Sequence, residues 1–88
     1  MPVVWIPSLM QSLTGGKDQV NVDGQTIREV VENLEKTFPG FRDRVCEEGR
    51  IRPGLAVAVD SVVSNEGLRQ KVDAESEVHF VTAIGGGK

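Results

Sequence analysis

The sequence is poor in the residue types that build disulfides, metal sites and catalytic centres. It has no tyrosine, one tryptophan, one histidine and one cysteine, Cys46. A single cysteine excludes an internal disulfide and is typical of a reducing compartment. Residues 1–7 contain no basic segment followed by a long apolar run, so we expect neither a signal peptide nor a membrane span. The predicted location is the cytoplasm.

Charge and length exclude further classes of function. The 88 residues are enough for one domain, with little room for a substrate cavity. The net charge is −3 and the basic residues are scattered along the chain, which argues against nucleic acid or a membrane as the main partner. We find no nucleophile–base pair and no metal-ligand cluster, and the run Gly15-Gly16-Lys17 is too short for a phosphate loop. We therefore expect no enzyme and no bound cofactor.

The order of predicted elements indicates an α+β fold. Strands are predicted where strand-forming or alternating residues occur, at residues 3–6, 19–22, 55–59, 62–63 and 77–84. The first two strands should form a hairpin with a long connecting loop. Asp60-Ser61 should form a tight turn before the short fourth strand, and Leu68 and Val72 should anchor the polar segment 64–76.

One helix is clearly predicted in the first half of the chain. Thr26 and Glu29 have the spacing of a capping box at its start. Apolar residues then recur at helical spacing, at Ile27, Val30, Val31, Leu34 and Phe38. Pro39-Gly40 should end the helix, and residues 41–48 should add a helical turn that Gly49 ends.

A helix between two groups of strands must cover a sheet with its apolar stripe. This layout predicts a β-grasp, ubiquitin-like fold, in which one main helix crosses one face of a mixed sheet of about four to five strands. We expect one domain at residues 1–84 and a flexible tail at residues 85–88.

The tail carries the most specific chemical signal. Gly85, Gly86 and Gly87 lack side chains, so this segment could pass through a narrow channel of a partner protein. The four residues 85–88 reach at most about 14 Å beyond the fold. A carboxylate delivered in this way becomes reactive after adenylation with ATP, and a sulfur nucleophile or a lysine amine can then attack it. The plainer interpretation is a frayed or foreign end.

With this tail after a β-grasp pattern, the whole chain resembles the ThiS/MoaD family of ubiquitin-like sulfur-carrier proteins, and is most similar to the CysO-like branch. The similarity lies in Ile6-Pro7, Thr14-Gly15-Gly16, the helix end at 34–40, Val57-Ala58-Val59-Asp60 and residues 78–87.

The resemblance implies that Gly87 is adenylated and then carries a thiocarboxylate, with Gly85 and Gly86 as the threading segment. It also implies partners: a ubiquitin-activating-like enzyme that uses ATP, a sulfur-acceptor synthase, and a metalloprotease that trims the C-terminus. Three residues depart from the family pattern, namely Lys88 after the last glycine, Thr82 in place of proline, and Ser61 in place of a turn glycine. Lys88 blocks the Gly87 carboxylate, so it is either removed before activation or foreign to the protein.

Three further residues are candidates for function. If Val4 and Ile6 face the core, Trp5 faces outward and forms a partner-docking surface with His79 and Val81; the opposite orientation would place Trp5 in the core. His79 alternates with Val78 and should lie on the outer sheet face. For Cys46 a structural, partly buried thiol is favoured over a sulfur-accepting one.

Two other functions stay open at this stage. A protein modifier joined to lysines through Gly87 would share the adenylation step, and a plain β-grasp binding domain would have an inert tail. The sequence does not identify the final sulfur acceptor, for which cysteine, thiamin, molybdopterin, thiolated tRNA and specialised metabolites are candidates.

Overall fold

A computed structural model describes residues 1–82 of the chain. The predictions for Ile84, for the threading glycines Gly85 and Gly86, and for Gly87 and Lys88 lie outside the described residues. The predicted boundary between domain and tail lies outside them as well.

The described residues form short strands, two α-helices and two 3-10 segments. The strands are β1 Val3–Trp5, β2 Gln19–Asn21, β3 Cys46–Glu47, β4 Arg50–Ile51, β5 Leu55–Val59, β6 Val62–Val63 and β7 Glu77–Thr82. The helices are α1 Ile27–Thr37 and α2 Phe41–Val45, and the 3-10 segments are Ser8–Thr14 and Gly67–Arg69. None of the helices within residues 1–82 has the length and apolar character needed to span a bilayer.

Five strands form the main sheet in the order β2-β1-β7-β5-β6. The central pair β1 and β7 is parallel, whereas β1–β2, β5–β6 and β5–β7 are antiparallel. The sheet is therefore mixed, and α1 lies across one of its faces. This arrangement confirms the predicted β-grasp fold and the predicted hairpin of the first two strands. The long loop of that hairpin contains the 3-10 segment Ser8–Thr14, which the sequence did not predict.

The start of α1 follows the predicted capping box with one difference. The Thr26 side chain accepts a hydrogen bond from the Glu29 backbone N–H at 3.3 Å, as expected. The Glu29 carboxylate reaches back to the N–H of Gln25 at 2.9 Å, one residue earlier than the usual partner. The predicted apolar stripe packs on the sheet, with Ile27, Val30, Val31 and Leu34 buried and Phe38 half-buried.

The short helix α2 is held against the end of α1 by a carboxylate. Glu35 accepts hydrogen bonds from the backbone N–H of Arg42 at 2.8 Å and of Gly40 at 3.1 Å. These bonds, first that from Arg42, lower the pKa of Glu35 below its usual range. Phe41 is fully buried and meets Phe80 of β7 edge-on, with 5.9 Å between ring centroids. The two helices therefore share one core with the sheet.

The prediction for residues 41–49 was wrong in its second half. The helix ends at Val45, and Cys46 is already extended and pairs with Ile51 in a β3–β4 hairpin. Glu48 and Gly49 form the turn of this hairpin, with φ values of 56° and 81°. Gly49 therefore serves a two-residue turn that requires positive φ rather than a helix end.

The segment after β5 agrees with the prediction. Asp60 and Ser61 have φ values of 52° and 71°, as the two-residue turn before β6 requires. Leu68 and Val72 are buried and anchor the polar segment that follows. This segment is joined to the start of α1, because the N–H of Ile27 donates to the Gln70 carbonyl at 3.0 Å.

Candidate functional site

Trp5 and His79 lie on the face of the sheet opposite α1, which is called the open face here. Val4 is fully buried and Ile6 nearly so, and in β7 Val78 and Phe80 are buried beneath α1. Because successive side chains of a strand alternate between faces, Trp5 and His79 must point the other way. The structure therefore shows the outward orientation of Trp5 and the outer-face position of His79.

The parallel pairing of β1 with β7 brings these two rings together. Trp5 is the register partner of His79. Their ring centroids are 5.5 Å apart and the ring planes differ by 9°, which is a stacked geometry. The contact buries one face of each ring, and both residues are partly exposed to solvent. The result is a flat aromatic surface at the centre of the open face.

Small and apolar residues surround the stacked pair. One row of side chains crosses the sheet in the order Trp5, His79, Ala58 and Val63. Each residue in this row is the register partner of the next. Val81, two residues beyond His79 on the same face, is opposite Ala56. Val81 is 45% exposed and Val63 is 59% exposed. Exposed valines therefore lie on both sides of the aromatic pair on the open face.

Polar groups mark the border of this surface. The Glu77 carboxylate lies 3.7 Å from Nε2 of His79, and both side chains are substantially exposed. An exposed pair at this distance contributes little to stability. The indole Nε1 of Trp5 is buried and finds no hydrogen-bond acceptor within residues 1–82.

Cys46 lies away from the open face, at the wall of a cavity of about 300 Å³. The cavity is next to α1 and α2, and Arg42 and Glu32, which are paired at 2.6 Å, also line it. Burial raises the pKa of the Cys46 thiol, although nearby Arg42 acts in the opposite direction. The reactive thiolate is therefore disfavoured, which agrees better with a structural thiol than with a sulfur acceptor. Across residues 1–82, no group of three or more potential metal-binding side chains comes together.

The open face adjoins the point where the chain leaves the described region. Strand β7 lies between β1 and β5; it pairs with β1 as far as His79 and with β5 as far as Thr82, which is opposite Leu55. The last described residues, Val81 among them, are therefore held through their pairing with β5. The structure brings Trp5, His79 and Val81 onto one face, and the function of this face in docking stays a prediction.

The sequence alone did not identify Ala56, Ala58 and Val63 as part of this face. The alternation of Ala56 and Ala58 with Leu55, Val57 and Val59 is visible in the sequence, but periodicity does not show which strands are neighbours. The side-by-side positions of β5 and β7 supply that information. Ala58 is buried and Ala56 is half-buried in this part of the face.

These features define the class of protein. A single main helix across a mixed five-stranded sheet with a parallel central pair is the ubiquitin-like β-grasp arrangement. The profile of the ThiS family matches residues 4–87, and the chain belongs to this family.

Relatives and solved structures agree with this assignment. The sulfur carrier protein CysO of Mycobacterium tuberculosis is 26% identical over 89 residues, which cover 96% of each chain, and the Mycobacterium bovis protein gives the same values. The crystal structure of the Amycolatopsis orientalis BexX/CysO complex contains a chain that superposes with a TM-score of 0.91 at 25% identity, covering 99% of this chain and 100% of that one. Small archaeal modifier protein 1 of Methanosarcina acetivorans has a TM-score of 0.79 at 15% identity, covering 98% and 95%, and shares the fold.

Proposed function

We propose that this chain is a sulfur carrier in which Gly87 is the residue activated and loaded with sulfur. A ubiquitin-activating-like enzyme joins the Gly87 carboxylate to AMP from ATP and releases pyrophosphate. A sulfur nucleophile then displaces AMP and leaves a thiocarboxylate, which an acceptor synthase consumes. The chain acts as a protein co-substrate and supplies no catalytic group itself.

The observation that carries this proposal is the extent of the family match. It reaches residue 87, so it includes the three glycines as well as the folded domain. The curated relatives that match over 96% of their length are sulfur carrier proteins by name. Glycine suits the tail because any side chain at the tip would widen the segment that must enter the active site.

The fold supports this chemistry by fixing where the tail begins. Because β7 pairs with β5 through Thr82, the base of the tail starts from a fixed position relative to the open face. A partner that covers Trp5, His79 and Val81 would therefore receive the tail at a defined distance from its docking site. The free energy of ordering the three glycines 85–87, roughly 1–2 kcal/mol each, must be offset by this docking contact. Solved CysO in complex with BexX is a precedent for a carrier bound to another protein.

The test uses a version of the chain that ends at Gly87, incubated with its adenylating partner enzyme, ATP and sulfide. Intact-mass spectrometry should show the exchange of one carboxylate oxygen for sulfur. The Gly87→Ala variant should give much less thiocarboxylate, because a methyl group at the reacting residue displaces the carboxylate. Gly85→Ala is the matched control, since it adds the same methyl group away from the reacting carboxylate.

The uncut chain provides the second comparison. Its terminal carboxylate belongs to Lys88, so it should not react until Lys88 is removed by a protease such as the expected metalloprotease. Equal thiocarboxylate yield from the uncut chain or from Gly87→Ala would falsify the role of Gly87. Lysine-linked conjugates in place of thiocarboxylate would identify the chain as a protein modifier.

A further inference from the structure

Three arginines that are far apart in the sequence line one groove on the side of the sheet that carries α1. Arg28 is in the first turn of α1, Arg50 is in β4, and Arg69 ends the second 3-10 segment. The groove has a volume of about 370 Å³, and Ile51 and Leu68 also line it. The fold creates this cluster because the second 3-10 segment packs against both α1 and β4.

The three guanidinium groups are available for an external ligand. Within residues 1–82, none of them hydrogen-bonds to another side chain or forms an ion pair. Two other arginines differ in this respect, since Arg42 pairs with Glu32 and Arg52 with Glu47. Glu66 is the acidic residue that lines the groove. The groove is therefore locally positive in a chain whose net charge is −3.

We propose that this groove binds carboxylate groups of an acidic segment on a partner protein. Guanidinium groups present paired N–H donors that match the two oxygens of a carboxylate, so arginine selects this group better than lysine does. Because the groove and the open face are on opposite sides of the sheet, a partner in the groove leaves Trp5 and His79 free. The proposal depends on neither the tail nor its chemistry.

The small free energy of an exposed ion pair favours a protein segment over a free anion as the ligand of this groove. Arg28, Arg50 and Arg69 are all exposed, and one exposed pair raises an affinity by about two- to fivefold. Three such pairs alone would give a free anion a dissociation constant above about 1 mM. The same three pairs can select and orient a partner when the rest of a larger interface supplies most of the affinity.

The experiment is a titration of the ¹⁵N-labelled full chain with a capped hexaglutamate peptide at low ionic strength, followed by amide chemical shifts. The shifts should concentrate at Gly49, Gly67 and Arg69, and they should vanish at high salt. The triple variant Arg28→Gln, Arg50→Gln, Arg69→Gln should bind the peptide about fivefold or more weakly. The control triple Lys17→Gln, Lys36→Gln, Arg44→Gln removes the same charge at exposed positions outside the groove and should keep the affinity within about twofold.

Three results would overturn the proposal. Equal weakening in both triple variants would mean diffuse attraction to the whole surface. Inorganic phosphate that shifts the same amides with the affinity of the peptide would identify a small-anion site. Absence of peptide-induced shifts would remove the groove as a binding surface. If the groove triple does not give the dispersed spectrum of a folded chain, the single variants Arg50→Gln and Arg44→Gln provide the same comparison.

Discussion

At the scale of single residues, Cys46 shows how burial decides between two functions of one side chain. Its thiol is half-buried, and the resulting desolvation raises its pKa above the usual range. Since the thiolate is the form that reacts, the folded chain should react with iodoacetamide more slowly than an exposed cysteine does at neutral pH. The rate should keep rising with pH beyond the range in which an ordinary thiol is already fully ionised.

The measurement is the alkylated fraction of the chain by mass spectrometry over a series of pH values. The control is the same series in denaturing urea, where Cys46 is exposed and burial no longer affects its pKa. If the folded chain reacts as fast as the unfolded chain at neutral pH, Cys46 is an accessible thiolate. This result would favour a sulfur-accepting function of Cys46 over a structural one.

Trp5 shows the limit of what single-residue patterns predict. Residues 3–6 are all apolar strand formers, so the sequence does not show which alternate residues face the core. Trp5 could therefore lie in the core or on the open face. The structure shows Val4 at 0% and Ile6 at 4% exposure, which leaves the open face for Trp5. The orientation of Trp5 is decided by the packing of β1 against the neighbouring strands and α1. A four-residue apolar segment contains no information about these neighbours.

At the scale of elements, the β5–β6 turn contains a residue that is poorly suited to its backbone. Ser61 has a φ of 71°, a conformation that costs a residue with a Cβ roughly 1–2 kcal/mol. Glycine avoids this cost but loses more conformational entropy on folding. We therefore expect Ser61→Gly to raise the free energy of unfolding by about 0.5–1 kcal/mol.

Urea denaturation of the two chains tests this expectation, with Ser12→Gly as the matched control. Ser12 is also exposed, but it lies in a 3-10 segment and is not among the residues with positive φ. Glycine at Ser12 should therefore lower stability. A lower free energy of unfolding for Ser61→Gly would mean that the serine stabilises the turn through a contact other than its backbone conformation.

Long elements were predictable from the sequence and short ones were not. The apolar stripe of α1 and the alternation of β5 extend over enough residues to show a period. In contrast, β3 and β4 have two residues each, so no period exists to distinguish the hairpin from a continued helical turn. Gly49 is the available signal in the sequence, and a glycine at this position fits a helix end as well as a hairpin turn.

At the scale of the whole molecule, the sequence patterns do not predict the order of strands or the surfaces that this order creates. The parallel pairing of β1 with β7 joins the two ends of the described chain and places Trp5 against His79. The basic residues are scattered along the sequence. In the fold, Arg28, Arg50 and Arg69 meet at one groove. Such convergence depends on long-range packing, which local periodicity does not encode.

The molecule therefore presents two opposite surfaces, and the open face can be tested against a matched site on the same sheet. Val81 is 45% exposed on the open face, whereas Val62 is 60% exposed and its register partner Val59 faces α1. A lysine at Val81 would place a charge in the contact with the adenylating enzyme. We expect Val81→Lys to weaken binding about tenfold or more, and Val62→Lys to leave the affinity within about twofold.

Calorimetric titration of the partner enzyme with chains ending at Gly87 measures both affinities, and circular dichroism checks that each variant is folded. Because the two variants introduce the same charge at exposed valines and Val62 is the more exposed of the two, a larger loss at Val81 must come from the position on the sheet. If both lose affinity equally, general repulsion explains the effect. If Val81→Lys binds as the unmodified chain does, the open face is not the docking surface, and the tail must find its enzyme through another side of the fold.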